Sequence, residues 1–84
     1  MNIDYARLHS VTARQMAAAL IEDGFLFRRQ KGSHRRYAHA DGRRVTLSFH
    51  HASDTFPLLT LKSMIEIQAR WCTDDLKRLG LLRE

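Results

Sequence analysis

The 84-residue chain contains one cysteine, one proline and four glycines, and no internal repeat or low-complexity stretch. A lone cysteine, Cys72, excludes an internal disulfide and cannot form a zinc cluster by itself. Five histidines are present, but there is no His-x-x-x-His helical pair and no Cys–His ligand spacing. His50 and His51, adjacent on an expected strand, would point to opposite faces and could not share an ion. The nine acids are scattered, with no pair suited to carboxylate catalysis or a two-metal nuclease. A metal site is not expected. No apolar run approaches the roughly 18 residues that a membrane span needs. Met1-Asn2-Ile3-Asp4-Tyr5 lacks the basic-then-apolar opening of a secretory signal, so a cytoplasmic location without membrane contact is expected.

Positive charge is what the chain has in excess. Fourteen Lys and Arg against nine Asp and Glu give a net charge of +5. Arg28, Arg29, Lys31, Arg35, Arg36, Arg43 and Arg44 cluster in residues 28–44, where Asp41 is the only acid. Such a patch attracts polyanions and neutralises phosphates by counterion release. It reads either as a nucleic-acid surface or as a solvated basic face.

The chain is short enough to be one domain, residues 1–84, with its core in about 12–82. Thr12-Ala13-Arg14-Gln15 forms a capping box, and Val11 with Met16 a hydrophobic staple. Met16, Ala17, Leu20 and Ile21 make an apolar stripe up to Gly24, which sets a helix at about 12–23. Strands follow at Phe25–Gln30, about His34–His39, and Arg44–His50. A second helix starts near Thr60, with Leu61, Met64, Ile65, Trp71 and Cys72 as its stripe and Gln68 as a polar interruption. Thr73-Asp74-Asp75 caps a short third helix to about Leu79, closed by Gly80. The fold class is α+β, in the order α-β-β-β-α-α, with a three-stranded antiparallel sheet and helices on one face.

The hairpin register decides which residues share a face. A two-residue Asp41-Gly42 loop pairs Tyr37 with Thr46. A three-residue loop with Gly42 left-handed pairs Tyr37 with Val45 and Arg35 with Leu47. The longer loop separates an apolar face of Tyr37, Val45, Leu47 and Phe49 from a polar one of His34, Arg36, Thr46, Ser48 and His50. His34 then lies opposite Ser48.

The segment Gln30-Lys31-Gly32-Ser33-His34-Arg35-Arg36-Tyr37 carries the chemistry. Gly32 permits a sharp reversal between strands. An imidazole follows at a strand start, among Lys31, Arg35 and Arg36. Cleaving RNA near neutrality needs a group that takes the 2′-hydroxyl proton or gives one to the leaving 5′-oxygen, and imidazole titrates in that range. Nearby cations would stabilise the charge developing on phosphorus. By local chemistry alone, a polar residue capping a turn is the simpler reading of His34.

Gly24-Phe25 after an amphipathic helix, Gln-Lys-Gly-Ser-His, a polar turn, a strand running to His50, and Thr60-Leu61 opening a helix together resemble the HicA toxin family, over about Thr12 to Leu82. The resemblance implies a fold like a double-stranded-RNA-binding domain. It implies an endoribonuclease that cleaves mRNA without metal or cofactor, with His34 catalytic, neutralised by a HicB-type antitoxin. No DNA contact is expected from this chain alone. Two departures touch the loop beside the site: Leu47-Ser48-Phe49-His50 where a Pro is common before the histidine, and Phe56-Pro57-Leu58-Leu59-Thr60 where a Gly is common.

Around His34, RNA contacts are expected from Lys31, Arg28, Arg29, Arg35, Arg36, Arg43, Arg44, Ser33 and His50. His50 reads either as an assisting acid, base or phosphate contact, or as an exposed strand-end residue. His9 and His39 are expected at the surface. Trp71, Tyr37, Phe25 and Phe27 could stack on bases, but their spacing beside Leu and Ile favours the core. Cys72 reads as a small buried hydrophobe. The rivals to a ribonuclease toxin are a non-catalytic RNA-binding module and a protein whose basic surface docks an acidic partner.

Overall fold

Helix α1 (Ala13–Glu22) starts where the capping box places it. The Gln15 N–H donates to Thr12 Oγ1 at 3.2 Å, and the Thr12 N–H donates to the Gln15 side-chain oxygen at 2.9 Å. The next free donors, the Ala13 and Arg14 N–H groups, reach Asp54 O and Ala52 O at 2.8 and 3.0 Å. The loop following the sheet thus completes the cap of a helix some forty residues earlier. At the other end the Phe25 N–H bonds Leu20 O and the Gly24 N–H bonds Ile21 O, the two bonds of a Schellman motif. The helix buries Ala13, Met16, Ala19 and Leu20. Ile21, expected in that stripe, is instead exposed, because the buried face ends at Leu20.

This is a computed structural model that describes residues 3–8 and 10–82; His9 lies outside them. Strands β1 (Leu26–Lys31), β2 (His34–Ala38) and β3 (Arg44–Ser48) form an antiparallel sheet in that order. β2 pairs with β3 as Tyr37–Val45, Arg35–Leu47 and His34–Ser48, the register of the three-residue loop. Gly42 is left-handed there, at φ 97°. Tyr37, Val45, Leu47 and Phe49 are buried in one core with the helices, whereas His34, Arg36, Ser48 and His50 are exposed. The helices therefore cover one face of the sheet and leave the other open.

β1 is exposed along its whole length, since it extends past the helical layer. Phe27, expected in the core, is half-exposed and meets Tyr37 edge-on at its border. Phe25, Tyr37 and Trp71 are buried, as their spacing suggested.

The second helix begins at Leu58 rather than Thr60. It runs as α2 (Leu58–Lys62) into a wider π-helical stretch (Ser63–Gln68) and stops there, with Arg70 at φ 57°. Trp71 and Cys72 thus follow the helix instead of extending its stripe. The widened turn serves Gln68: its Oε1 accepts the Thr46 N–H of the outer strand β3 at 2.8 Å, and its Nε2 donates to Ser63 Oγ at 3.1 Å. In α3 (Thr73–Arg78) the N-cap is Cys72, one residue before the expected Thr73, and its N–H donates to Asp75 Oδ2 at 2.9 Å. Cys72 is half-buried for that reason. Ahead of the expected core, Leu8 and Val11 are also buried, while the Tyr5 hydroxyl donates to Glu66 and its ring lies under Lys62.

Candidate nucleic-acid interface

The open face can be built strand by strand. The Thr46 N–H turns away from β2 to reach Gln68, so Arg36–Thr46 is a non-hydrogen-bonded pair. Pair types alternate along an antiparallel ladder, which makes His34–Ser48 non-hydrogen-bonded as well. In such pairs the side chains approach most closely, with Cβ atoms about 4.5–5.5 Å apart. His34 and Ser48 are therefore close cross-strand neighbours on the open face. Ser33 joins them, its Oγ 3.4 Å from Ser48 Oγ. The turn beneath is braced by the Gln30 amide, which donates to Gly32 O at 2.9 Å.

The cations of the same face come from all three strands. Lys31 lies across from His34, Arg29 across from Arg36, and Arg44 across from Ala38. A bulge between Phe27 and Arg29 inserts Arg28 as an extra residue, and Arg28 and Arg29 both border a hollow shared with Arg36. None of these five side chains has a carboxylate partner among the described residues. No acid lies on these strand positions.

Two arginines of the sequence cluster do not belong to this surface. Arg35 alternates to the helical side, where its guanidinium covers the Phe49 ring at 4.4 Å. Arg43 is held inside by a tertiary network. Its NH1 donates to Ala69 O at 2.7 Å and meets Asp23 Oδ2 at 3.1 Å, its Nε donates to Asp41 Oδ2 at 2.7 Å, and it lies over Phe25. Asp23 also accepts from Trp71 Nε1 at 2.9 Å and Arg78 NH2 at 2.8 Å. Burial pushes the Asp23 carboxyl up, but the Trp71 and Arg78 hydrogen bonds and the Arg43 charge outweigh it, so its pKa lies below the usual carboxylate range. Asp23, Asp41 and Asp75 thus neutralise Arg43 and Arg78, and no such pair reaches the five cations of the open face among the described residues.

The other histidines separate by position. His39 is half-buried rather than free at the surface: its Nε2 bonds Asp23 O at 2.9 Å, its Nδ1 lies 3.1 Å from the Asp41 N–H, and its ring stands edge-on to Phe25. β3 ends at Ser48, so His50 and His51 sit in a bend rather than on a strand. Asp54 Oδ2 accepts the N–H groups of both, which holds its carboxyl below the usual range. The ladder still reaches Phe49, whose N–H donates to Ser33 O at 3.2 Å, so exposed His50 follows one residue beyond, at the His34 end of the sheet. No three His, Cys, Asp or Glu side chains among the described residues gather closely enough to hold a metal ion. No helix of the described residues is long and apolar enough to cross a membrane.

An α-β-β-β-α-α chain with one sheet face packed under helices and the other left open and basic has the architecture of double-stranded-RNA-binding-like domains. The model of the family described as "HicA toxin of bacterial toxin-antitoxin" matches residues 13–71, a span that contains the whole sheet and the open face. The chain belongs to the HicA toxin family. A search of curated proteins found no match.

Proposed function

We propose that this protein is the toxin of a toxin–antitoxin pair and acts as a metal-independent endoribonuclease on mRNA, with His34 as its proton-transfer group and a HicB-type antitoxin as its inhibitor in the cytoplasm. The observation that carries this reading is the open sheet face, where His34 stands among Lys31, Arg29, Arg28, Arg36 and Arg44 with no acid between them. Family membership supports the toxin role.

On such a face a phosphodiester is drawn in by charge and held against the imidazole. His34 takes the proton of the 2′-hydroxyl as that oxygen bonds to phosphorus and the bond from phosphorus to the 5′-oxygen breaks. The leaving oxygen takes its proton from the imidazolium or from water. Lys31 and Arg36 stabilise the extra negative charge on the phosphoryl oxygens, while Ser33 and Ser48 offer hydroxyl donors at the same end. Incubating the protein with a defined RNA in excess chelator tests this directly. Fragments ending in a 2′,3′-cyclic phosphate, or its hydrolysed form, support it; cleavage that chelator stops, or fragments carrying a 5′-phosphate, refute it.

A further inference from the structure

The open face is not flat. At the end away from His34 it sinks into a hollow of about 570 Å³. Leu26 and Ala38, a directly opposed pair on β1 and β2, supply an apolar floor, and His39 and Thr46 add polar groups to its lining. Its walls are the guanidinium-bearing side chains of Arg28, Arg29, Arg36 and Arg44. Two local features produce this shape. Ala38 is a small residue in the middle strand, between Leu26 on one side and Arg44 on the other. The bulge at Arg28 brings a second arginine to the ladder level of Arg36, where a regular strand would bring one.

From this hollow we infer a subsite for an RNA base, distinct from the position where phosphate meets His34. Phosphates need only cations and are held equally well by a flat surface. An apolar floor ringed by arginines suits a flat heterocycle instead, because a base has apolar faces and polar edges, and guanidinium planes stack on it. The volume is that of small-molecule sites, roughly 300–1,000 Å³. Arg36 belongs to both places. His34, Arg36 and Ala38 follow one another on the same face of β2, so the floor lies two ladder steps, roughly 13 Å, from the imidazole. A single strand laid along β2 places one phosphate at His34 and a nearby base in the hollow, which gives the face a means of choosing where to cut.

This assignment rests on the proposed action on RNA, but its test does not require cleavage. The full chain is titrated with the four ribonucleoside 5′-monophosphates and with ribose 5-phosphate, following backbone and methyl NMR signals. At least one nucleotide binds about tenfold more tightly than ribose 5-phosphate, the order of loss seen when base stacking is removed, and shifts the Leu26 and Ala38 signals. Ala38→Leu, which fills the floor, brings nucleotide and ribose 5-phosphate to equal affinity; Leu26→Ser does the same should the leucine variant fail to fold. Equal binding of ribose 5-phosphate and all four nucleotides by the native protein overturns the subsite, as does a nucleotide preference that survives both variants. Neither result depends on whether His34 cleaves RNA.

Discussion

Replacing Arg43 and Arg44 by alanine, one at a time, separates the framework of the domain from its charged face. The Arg43 side chain is 16% exposed, and it meets Asp23, itself 10% exposed, together with the Ala69 carbonyl. Removing it leaves that carbonyl without the Arg43 donor, which costs about 1–3 kcal/mol in a part-buried setting. Its ion pair with the solvent-exposed Asp41 is screened by water and adds little. Asp23 keeps Trp71 and Arg78 as donors, so the loss stays below the roughly 3–5 kcal/mol of a fully broken buried pair. The loss is about 1–3 kcal/mol, which for a domain of this size lowers Tm by roughly 4–24 °C. Arg44 makes no such contacts, so Arg44→Ala changes stability by less than about 0.5 kcal/mol. It weakens RNA binding and lowers the slope of log affinity against log salt by about one. Thermal denaturation and salt-dependent RNA titration of both variants measure these effects. If Arg43→Ala melts with the native protein, or if it lowers the salt slope while Arg44→Ala does not, the division between buried and presenting arginines is wrong.

Two further outcomes follow from the same contacts. The depressed pKa of Asp23 contributes stability above its ordinary value of 3.8 and loses it as pH falls through the lower folded-state value. Urea denaturation between pH 5 and 2 should therefore show a steep decline that Asp23→Asn flattens, and parallel curves would contradict the assignment. Gln68→Leu strands the Thr46 N–H at the edge of the sheet and should lower stability by about 1–2 kcal/mol. Hydrogen exchange at the Thr46 amide should rise with it, and an unchanged rate would mean that Gln68 does not hold the strand.

Local rules carried the sequence reading well where the determinants are local. The Thr12–Gln15 box, the glycine turn at 42 and the polar–apolar alternation of β2 and β3 each depend on a few neighbouring residues, and each appears in the structure as read. Alternation also separates Arg35 from Arg36, although charge clustering alone groups them. What sequence could not convey was tertiary. Arg43 is withdrawn from the basic cluster by Asp23, twenty residues earlier, and by the Ala69 carbonyl, twenty-six residues later. His39 is similarly claimed by the Asp23 carbonyl and Phe25. The π-helical stretch exists to let Gln68 reach β3, and its only trace in the sequence is a polar residue interrupting an apolar stripe. The hollow beside Arg28 depends on a bulge, which the doubled Arg28-Arg29 does not announce.

The central claim is that a single imidazole on the open face cleaves RNA, and His34→Ala tests it most directly when binding and cleavage are measured on the same RNA. His34 is exposed at a strand start, so the variant should fold and melt like the native protein. RNA affinity should change little, because the arginines and Lys31 supply it. Cleavage should fall by about 10²–10⁴-fold, the usual contribution of a general acid–base group. A His34→Ala protein that binds RNA and cleaves it at the native rate would contradict the proposed mechanism and leave the open face as a binding surface alone.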